Sequence, residues 1–356
     1  MTDLGTSLYH ADVRRIDLKL WMLAGIVPAL LVCPLGAEDK MAGVSGEPRT
    51  LAVALDGTGQ FRSIQEAVDE ARKGDTITIK AGAYPEDVTI HSKQRVKLIG
   101  EGMDRVTVLG RERVGVFHIG KWPYGATDIE ISGLTINEHG GHAMGIFNGR
   151  GIVLRDVRIN GMLFGQQVRD VRIERCQIGG SETTGVQFAD SHAVLLGNLI
   201  HDNDHGVTIA GKSDVRLERN VITRNLFEGV VVTDSARAVL ISNTIAKNGG
   251  GVAFLGTSRS EVSGNIVGWN KVGFVVGPTS TAATSHNALY NSDGNYMRAG
   301  SPNVAAPELK GKSDLTVDPR FMDPDQGDFR LRSDTPVLRV GTFRYLGALA
   351  PVNGSP

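Results

Sequence analysis

Two polar segments of the chain carry side chains that could transfer protons. One segment comprises residues 201–205 and the other residues 138–142, while His205 and Glu228 each directly precede a glycine, 23 residues apart. A histidine and a carboxylate held one strand spacing apart, ~4.8 Å, can act as acid and base in glycosidic cleavage by hydrolysis or elimination. Polar turns that merely face water are the competing interpretation. The candidate catalytic residues are His205, Glu228, Asp202 and His142.

A repeat of about 22 residues should position these side chains. Cys176 lies 22 residues before the first asparagine of the repeat. Asparagine amides can bond to the equivalent amide one repeat further on, and glycine tolerates the positive φ of a tight corner. Three columns share the period: Asn198, Asn220, Asn243, Asn265 and Asn287; Asn203, Asn225, Asn248, Asn270 and Asn291; and Gly185, Gly206, Gly229, Gly251 and Gly273.

The repeat length predicts an all-β fold, a single-stranded right-handed parallel β-helix with three short strands in each coil. In the glycine-led strand we expect Ile146, Gln166 and Val186 to be successive inward positions of mostly aliphatic stacks. The leucine pattern of a leucine-rich repeat is missing. Ser63 and Glu66 form the spacing of a capping box, which predicts an N-terminal capping helix closed by Gly74.

The outward positions of the glycine-led strand form the candidate binding surface. The N-terminal half of this column is polar and could hydrogen-bond a sugar polymer. Its other half, from Val231 to Val275, is apolar and should lie under residues 300–350 or against a partner. Arg169 and Lys212 could neutralise a uronate carboxylate. The candidate binding residues are Phe147, Gln167, Arg169, Gln187, Thr208 and Trp122.

Three short segments near the start of the chain, 52–68, 80–86 and 98–104, share one resemblance. They resemble the first rungs of pectin methylesterases, and the match covers roughly residues 52–110. This resemblance implies the pectin lyase-like superfamily of right-handed parallel β-helices, with a helix-capped N-terminal end. Residues 318–331 resemble the tail of secreted bacterial β-helix repeat proteins, which implies a closing segment rather than an active site.

The resemblance does not extend to the catalytic residues of those esterases. Pectin methylesterases carry two aspartates on adjacent rungs, one as acid and base and one as nucleophile. When the coils are aligned on their apolar columns, Cys176 falls on a cysteine of the esterase pattern and the two aspartate positions fall on Gly165 and Gly185. The oxyanion glutamine and the arginine–tryptophan motif have no counterpart either. Because glycine can neither attack an ester nor carry a proton, we predict no esterase activity by that mechanism.

Residues 1–37 have the pattern of an export signal. A positive region precedes the apolar stretch 20–33, and small residues near Ala37 suit cleavage. This stretch is short of the ~20 residues that span a bilayer, so we expect no stable membrane insertion after cleavage, with a retained anchor as the alternative. Loss of Cys33 would leave Cys176 without a disulfide partner. The predicted location is secreted or periplasmic.

The remaining residues divide into a linker at 38–50, a β-helix at 51–300 and a C-terminal closing segment at 301–356. A net charge of −1 argues against a nucleic-acid partner. No spacing specifies a metal site, so we predict no cofactor and leave Ca²⁺ open. The predicted function is an exported protein that binds an acidic polysaccharide and cleaves it as a lyase or glycoside hydrolase. The alternative is a non-catalytic surface, binding or scaffold protein. The polymer and the oligomeric state are left open.

Overall fold

The computed structural model describes residues 47–111, 115–121, 124–300 and 303–352. The predicted signal at 1–37, most of the linker, Cys33 and Trp122 lie outside these residues. Within them, no helix has both the length and the apolarity needed to cross a bilayer.

Three strands recur in each coil and stack into three parallel sheets, so the predicted right-handed parallel β-helix is confirmed. The first sheet has eleven strands. They are Thr50–Val53, Thr76–Ile79, Lys97–Gly100, Glu130–Ser132, Val153–Arg155, Val171–Glu174, His192–Leu196, Asp214–Glu218, Arg237–Ile241, Arg259–Ser263 and Thr281–Ser285.

The second and third sheets share two long strands, Thr135–Phe147 and Arg158–Gln166, each of which turns a corner from one sheet into the next. The other strands of the second sheet are Gly82–Pro85, Val106–Leu109, Gln177–Gly179, Leu199–His201, Val221–Thr223, Thr244–Ala246, Ile266–Gly268 and Ala288–Tyr290. The other strands of the third sheet are Val88–Ile90, Phe117–Ile119, Thr184–Ala189, His205–Ala210, Glu228–Val232, Gly250–Phe254, Val272–Val276 and Gly294–Arg298.

The core is a set of aliphatic and aromatic stacks inside the coil, but two early rungs depart from the predicted register. Ile146 pairs with Gly165, which pairs with Phe188, so Gln166 faces outward and is exposed. The assignment of Gln166 to the core was therefore wrong. Its cause is unequal turn length, since the first step is 19 residues and the second 23 rather than a constant period.

Both asparagine columns form buried ladders along the coil. The side-chain oxygen of Asn220 accepts from the backbone N–H and the amide of Asn198, at 3.0 and 2.9 Å. Its own amide donates to Asn243 and to the carbonyl of Leu195, and the same pattern repeats on the following rungs. The first ladder begins at the Cys176 backbone N–H and ends on a carboxylate oxygen of Asp314. Each rung is thereby bonded to the next through a turn as well as through its strands.

The glycine column has a different cause from the one predicted. None of its five members adopts a positive φ. Instead, a Cβ added at Gly206 would lie 2.4 Å from the carbonyl oxygen of Gly229, and at Gly251 one would lie 2.5 Å from that of Gly273. Glycine is needed because neighbouring rungs approach too closely for any side chain.

A short helix, Ile64–Glu70, covers the N-terminal end of the coil. The Ser63 hydroxyl accepts from the Glu66 N–H, as the capping box predicts, but the carboxylate of Glu86 supplies further acceptors for the first helical N–H groups. The helix ends at Glu70 rather than at the predicted Gly74, because the backbone is already extended at the following residue.

The C-terminal segment packs on the outer face of the second sheet. There Phe321, Phe329 and Leu331 form a buried cluster with Val221 and Ile266. The expectation that this segment covers the apolar half of the third sheet was wrong. Among the described residues, the buried cluster of that strip consists of Ala253, Val275 and Met297 with Leu255, Val272 and Ala299. The C-terminal segment covers the second sheet instead, because outward positions of that sheet, such as Val221 and Ile266, are apolar as well. The segment's remaining elements are Val304–Ala305, Pro307–Leu309, Phe321–Asp323, Pro324–Gln326, Asp328–Leu331, Leu338–Val340 and Phe343–Tyr345.

Candidate functional site

His205 and Glu228 begin neighbouring strands of the third sheet and meet on its outer face. Each comes directly before a glycine of the close-packed column, so the two side chains leave the coil at equivalent points. The Nδ1 atom of His205 lies 3.2 Å from a carboxylate oxygen of Glu228, and both side chains are about one-third exposed. The approach lies outside hydrogen-bond geometry, and His205 Nδ1 has no other polar partner in the described part of the chain. The structure thus brings together the two residues that the repeat predicted to be neighbours.

The environment keeps Glu228 ionised. Burial opposes the charged form, but the contact with His205 outweighs it and lowers the pKa of the Glu228 carboxyl below its usual range. The ring of Phe227 lies 5.2 Å from the His205 ring, centroid to centroid, and is itself 41% exposed. An ionised carboxylate, an imidazole and an exposed aromatic ring therefore share one stretch of surface. Such a set can accept a proton, return one, and stack against a sugar.

Asp202 belongs to a different contact. Its carboxylate receives two hydrogen bonds from the guanidinium of Arg224, at 2.9 and 2.8 Å, and contacts the Nδ1 atom of His201 at 2.6 Å. The Arg224 bonds are the main cause that lowers the pKa of Asp202 to about 2. Asp202 is thus engaged in an ion pair across two turns and is not brought to His205 and Glu228.

Asp204 is a second carboxylate in this segment, and it was not among the predicted catalytic residues. It lies with Glu182 in a shallow surface depression, and burial raises the pKa of its carboxyl. Its position directly before His205 was a signal available in the sequence. The depression, about 400 Å³ in volume, is lined by Gly180, Ser181, Glu182, Asp202, Asn203, Asp204, Arg224 and Leu226.

His142 lies on the third sheet but three rungs from His205. It pairs with Met162, whereas His205 pairs with Thr184, and the rungs of Met162 and Thr184 are adjacent. At ~4.8 Å per rung, three steps amount to ~14 Å. The structure therefore does not bring His142 to the His205–Glu228 pair.

The surroundings of His142 are aromatic. Its ring lies 5.9 Å from that of Phe164, Phe164 lies 5.9 Å from Phe147, and Phe147 lies 6.0 Å from His118. Burial lowers the pKa of His142, and the nearby His118 lowers it further. Burial also lowers the pKa of His118, against the opposing charge of Asp87. These four rings form the aromatic platform. His118 was not among the predicted site residues, although its position in an alternating strand indicated that its side chain faces outward.

Gln187 and Thr208 occupy successive outward positions of the third sheet, as predicted. Phe147 also faces outward, but its partner on the next rung is Gln166 rather than the predicted Gln167. Gln167 does not take the outward position assigned to it. It lies in the following turn with φ +54, because the short rung shifts the register, and Phe164 occupies the outward position next to Gln187.

The cations proposed for uronate binding flank the outer face. Arg169 and Lys212 lie in turns that lead from the third sheet to the first. No side-chain hydrogen bond or ion pair engages either within the described residues, so both remain available to a ligand. The described residues also contain no group of three or more His, Cys, Asp or Glu side chains around a common metal position.

The two glycines aligned with esterase aspartates do not occupy equivalent outward places. A Cβ on Gly165 would meet the buried ring of Phe188, and one on Gly185 would meet the ladder amide of Asn203. Both positions therefore point inward, and Gly165 is in register with Phe188 rather than with Gly185. The outward positions nearby are Phe164, Gln187 and Thr208, and these side chains also lack a carboxylate. The absence of that esterase mechanism stays a prediction, now based on these residues.

Residues 122–287 match the family described as right handed beta helix region. Together with the three stacked sheets, this match defines the chain as a right-handed parallel β-helix protein. Residues 50–133 match the pectinesterase family, so the resemblance of the first rungs is confirmed. The chain is similar there to a pectinesterase from Petunia integrifolia, at 39% identity over 80 residues, which are 21% of each protein. Pectinesterase 2.2 from Solanum lycopersicum is 30% identical over 128 residues, or 31% of this chain and 23% of that protein.

The chain spans about a fifth of the length of the curated relatives it matches. Among solved structures, pectate lyase Pel9A covers 85% of this chain with 96% of its own length, at 12% identity and a TM-score of 0.49. The A-module of mannuronan C-5 epimerase AlgE4 from Azotobacter vinelandii covers 72% with 95% of its length, at 15% identity and a TM-score of 0.44.

Proposed function

We propose that this protein binds an acidic polysaccharide on the outer face of its third sheet and cleaves it beside His205 and Glu228. The observation that carries the proposal is the 3.2 Å contact between these two side chains, beside the polar and aromatic N-terminal half of that face. The similarity of the first rungs to pectinesterases supports a pectin-like polymer. Export, which the pattern of residues 1–37 favours, would place the protein with such polymers.

The chemistry follows from the charge state of the pair. Glu228 is ionised well below neutral pH and is suited to remove a proton or to stabilise positive charge on a sugar ring. His205, in contact with it, is suited to carry the proton to or from the leaving oxygen. Arg169 and Lys212 at the edge of the face are suited to neutralise a uronate carboxylate, which is required before a proton can leave the neighbouring carbon.

A non-catalytic binding protein is the second candidate. The observation that favours it is that Asp202, the other carboxylate proposed for catalysis, is held by Arg224 and His201. Glycosidic hydrolysis normally uses two carboxyl groups flanking the bond. A protein that binds the polymer through the same face without cutting it would share every contact described except the proton transfer.

Incubation with pectate, alginate and related polymers separates the two candidates. Cleavage by elimination produces unsaturated uronate ends that absorb ultraviolet light, and hydrolysis produces new reducing ends. We expect one of these products from the native protein and its loss in His205→Ala and Glu228→Gln. His192→Ala and Glu261→Gln are matched controls, since both residues lie exposed on the first sheet. Binding without either product would favour the second candidate, and absence of binding would refute both.

A further inference from the structure

Beyond the His205–Glu228 pair, the third sheet carries a second assembled feature, the aromatic platform of His118, His142, Phe147 and Phe164. Successive ring centroids are 5.9 to 6.0 Å apart, and all four side chains are partly exposed. The rings come from three consecutive rungs, so they extend along the axis of the coil. Neither His118 nor Phe164 takes part in the proposed cleavage.

The sequence makes room for these rings at one position. Gly145 lies between them on the outward face, pairing with His118 on one side and with Phe164 on the other. A Cβ at this position would lie 2.5 Å from Cε2 of Phe147 and 3.0 Å from Cδ2 of His118. The rings of Phe147 and His118 therefore lie over the glycine, close to the sheet. A side chain there would push them away from it.

The platform and the catalytic pair lie on one line. Six consecutive rungs connect them, through the register pairs Phe117–Met144, Met144–Leu163, Leu163–Val186, Val186–Val207 and Val207–Val230. The rise per rung, ~4.8 Å, is comparable with the length of one sugar residue in an extended polymer. A chain lying along the axis would therefore advance by about one sugar per rung.

We infer that the aromatic platform is a sugar-stacking subsite, which holds a polysaccharide parallel to the coil axis with its next units reaching His205 and Glu228. Flat aromatic rings recognise the apolar faces of pyranoses, while the imidazole nitrogens supply hydrogen bonds to hydroxyl groups. Burial lowers the pKa of both histidines, which favours their neutral forms and opposes two like charges side by side. Gln187 lies outward on a rung between the two sites and is partly exposed, so its amide offers a further hydrogen bond.

This inference rests on the proposed function, and it adds a length requirement. One sugar per rung over six rungs means that affinity should rise with oligomer length and level off at about six units. The probes are uronate oligomers of defined length, from dimer to octamer, prepared from pectate and from alginate. Neutral glucan oligomers form a third series, which reports stacking without carboxylates.

The test compares affinities of the full-length native protein and three variants by calorimetry. Phe164→Ala removes a ring, and Gly145→Ala displaces two without removing any. Each should weaken binding of the hexamer about tenfold, a change that corresponds to ~1.4 kcal/mol. Tyr290→Ala is the matched control, because this ring is 45% exposed on the second sheet, and it should bind like the native protein. In the native protein, the imidazole NMR signals of His118 and His142 should shift when hexamer is added.

Three results would overturn the inference in different ways. Native protein that binds or cleaves the polymers, with Phe164→Ala and Gly145→Ala unaffected and both imidazole signals unmoved, would refute the platform and leave the proposed function standing. A plateau at about three units would likewise confine binding to the rungs around His205. Native protein that binds no oligomer in any series would refute both proposals.

Discussion

Replacing Asn220 by alanine should destabilise the coil far more than its size suggests. Asn220 is fully buried, and its side chain makes four hydrogen bonds, two to Asn198, one to Leu195 and one to Asn243. Truncation leaves the backbone N–H of Asn198 without an acceptor and takes one donor from the Leu195 carbonyl. An orphaned buried group costs ~1–3 kcal/mol and each further lost bond ~0.5–1.5 kcal/mol. We expect a loss of at least ~2.5 kcal/mol in the free energy of unfolding.

Urea unfolding followed by circular dichroism measures this loss. Asn160→Ala is the control, because within the described residues the amide of Asn160 bonds only to Asn137, at an exposed position, and its change should stay within ~0.5 kcal/mol. Asn220→Leu restores volume without restoring any hydrogen bond, so it should be as unstable as the alanine variant. If leucine restores stability, or if both Asn220 variants are as stable as Asn160→Ala, then the asparagine ladder does not stabilise the coil through its hydrogen bonds. Either result would refute the argument.

Three further predictions concern the ion pair, the thiol and the glycine column. Because the pKa of Asp202 is lowered to about 2, the stability that its pair with Arg224 supplies is present above pH ~4 and is lost as the pH falls toward 2. Both partners are about half exposed, so the effect should be under ~1 kcal/mol, and acid unfolding of Asp202→Asn should lack it. Burial raises the pKa of Cys176 to about 12, so at pH 8 a thiol reagent should label Cys176 in the unfolded chain and barely label it in the native one. Gly206→Ala should lose more than ~2 kcal/mol in denaturant unfolding, whereas Gly268→Ala, where a Cβ meets nothing nearer than 3.4 Å, should lose much less.

The fold was predictable because polar residues, the ladder asparagines, recur with the period of the coil. Asparagines such as Asn220 and Asn243 must stack to satisfy buried backbone groups, so their spacing reports the length of a coil directly. Apolar residues do not carry this information, since Ile146 suits an inward position in more than one register. The errors fell where the ladders have not yet begun. Residues 145–166 precede Cys176, so only aliphatic alternation was available there, and a rung shortened to 19 residues went unnoticed.

The site was predictable to the same extent and for the same reason. His205 and Glu228 lie within the laddered coils, and the spacing of those coils predicted their contact. Phe164, by contrast, lies in the unladdered region, and the register error concealed its place beside Gln187. Whether Asp202 is available could not be predicted at all. It depends on the reach of the Arg224 side chain across a turn, which spacing does not specify.

The glycine column links the stability of the coil to the geometry of the proposed site. His205 and Glu228 directly precede Gly206 and Gly229, where neighbouring rungs approach too closely for a Cβ. That close contact fixes the backbone on both rungs, so the side chains one residue earlier leave the coil side by side whether or not a ligand is present. Backbone fixed in this way need not move on binding, so only side-chain adjustment is required, which favours catalysis by a largely preformed site. A bulkier residue at Gly206 should therefore disturb the 3.2 Å contact before it unfolds the coil. Activity lost in Gly206→Ala at temperatures where the protein is still folded would be the signature of that link.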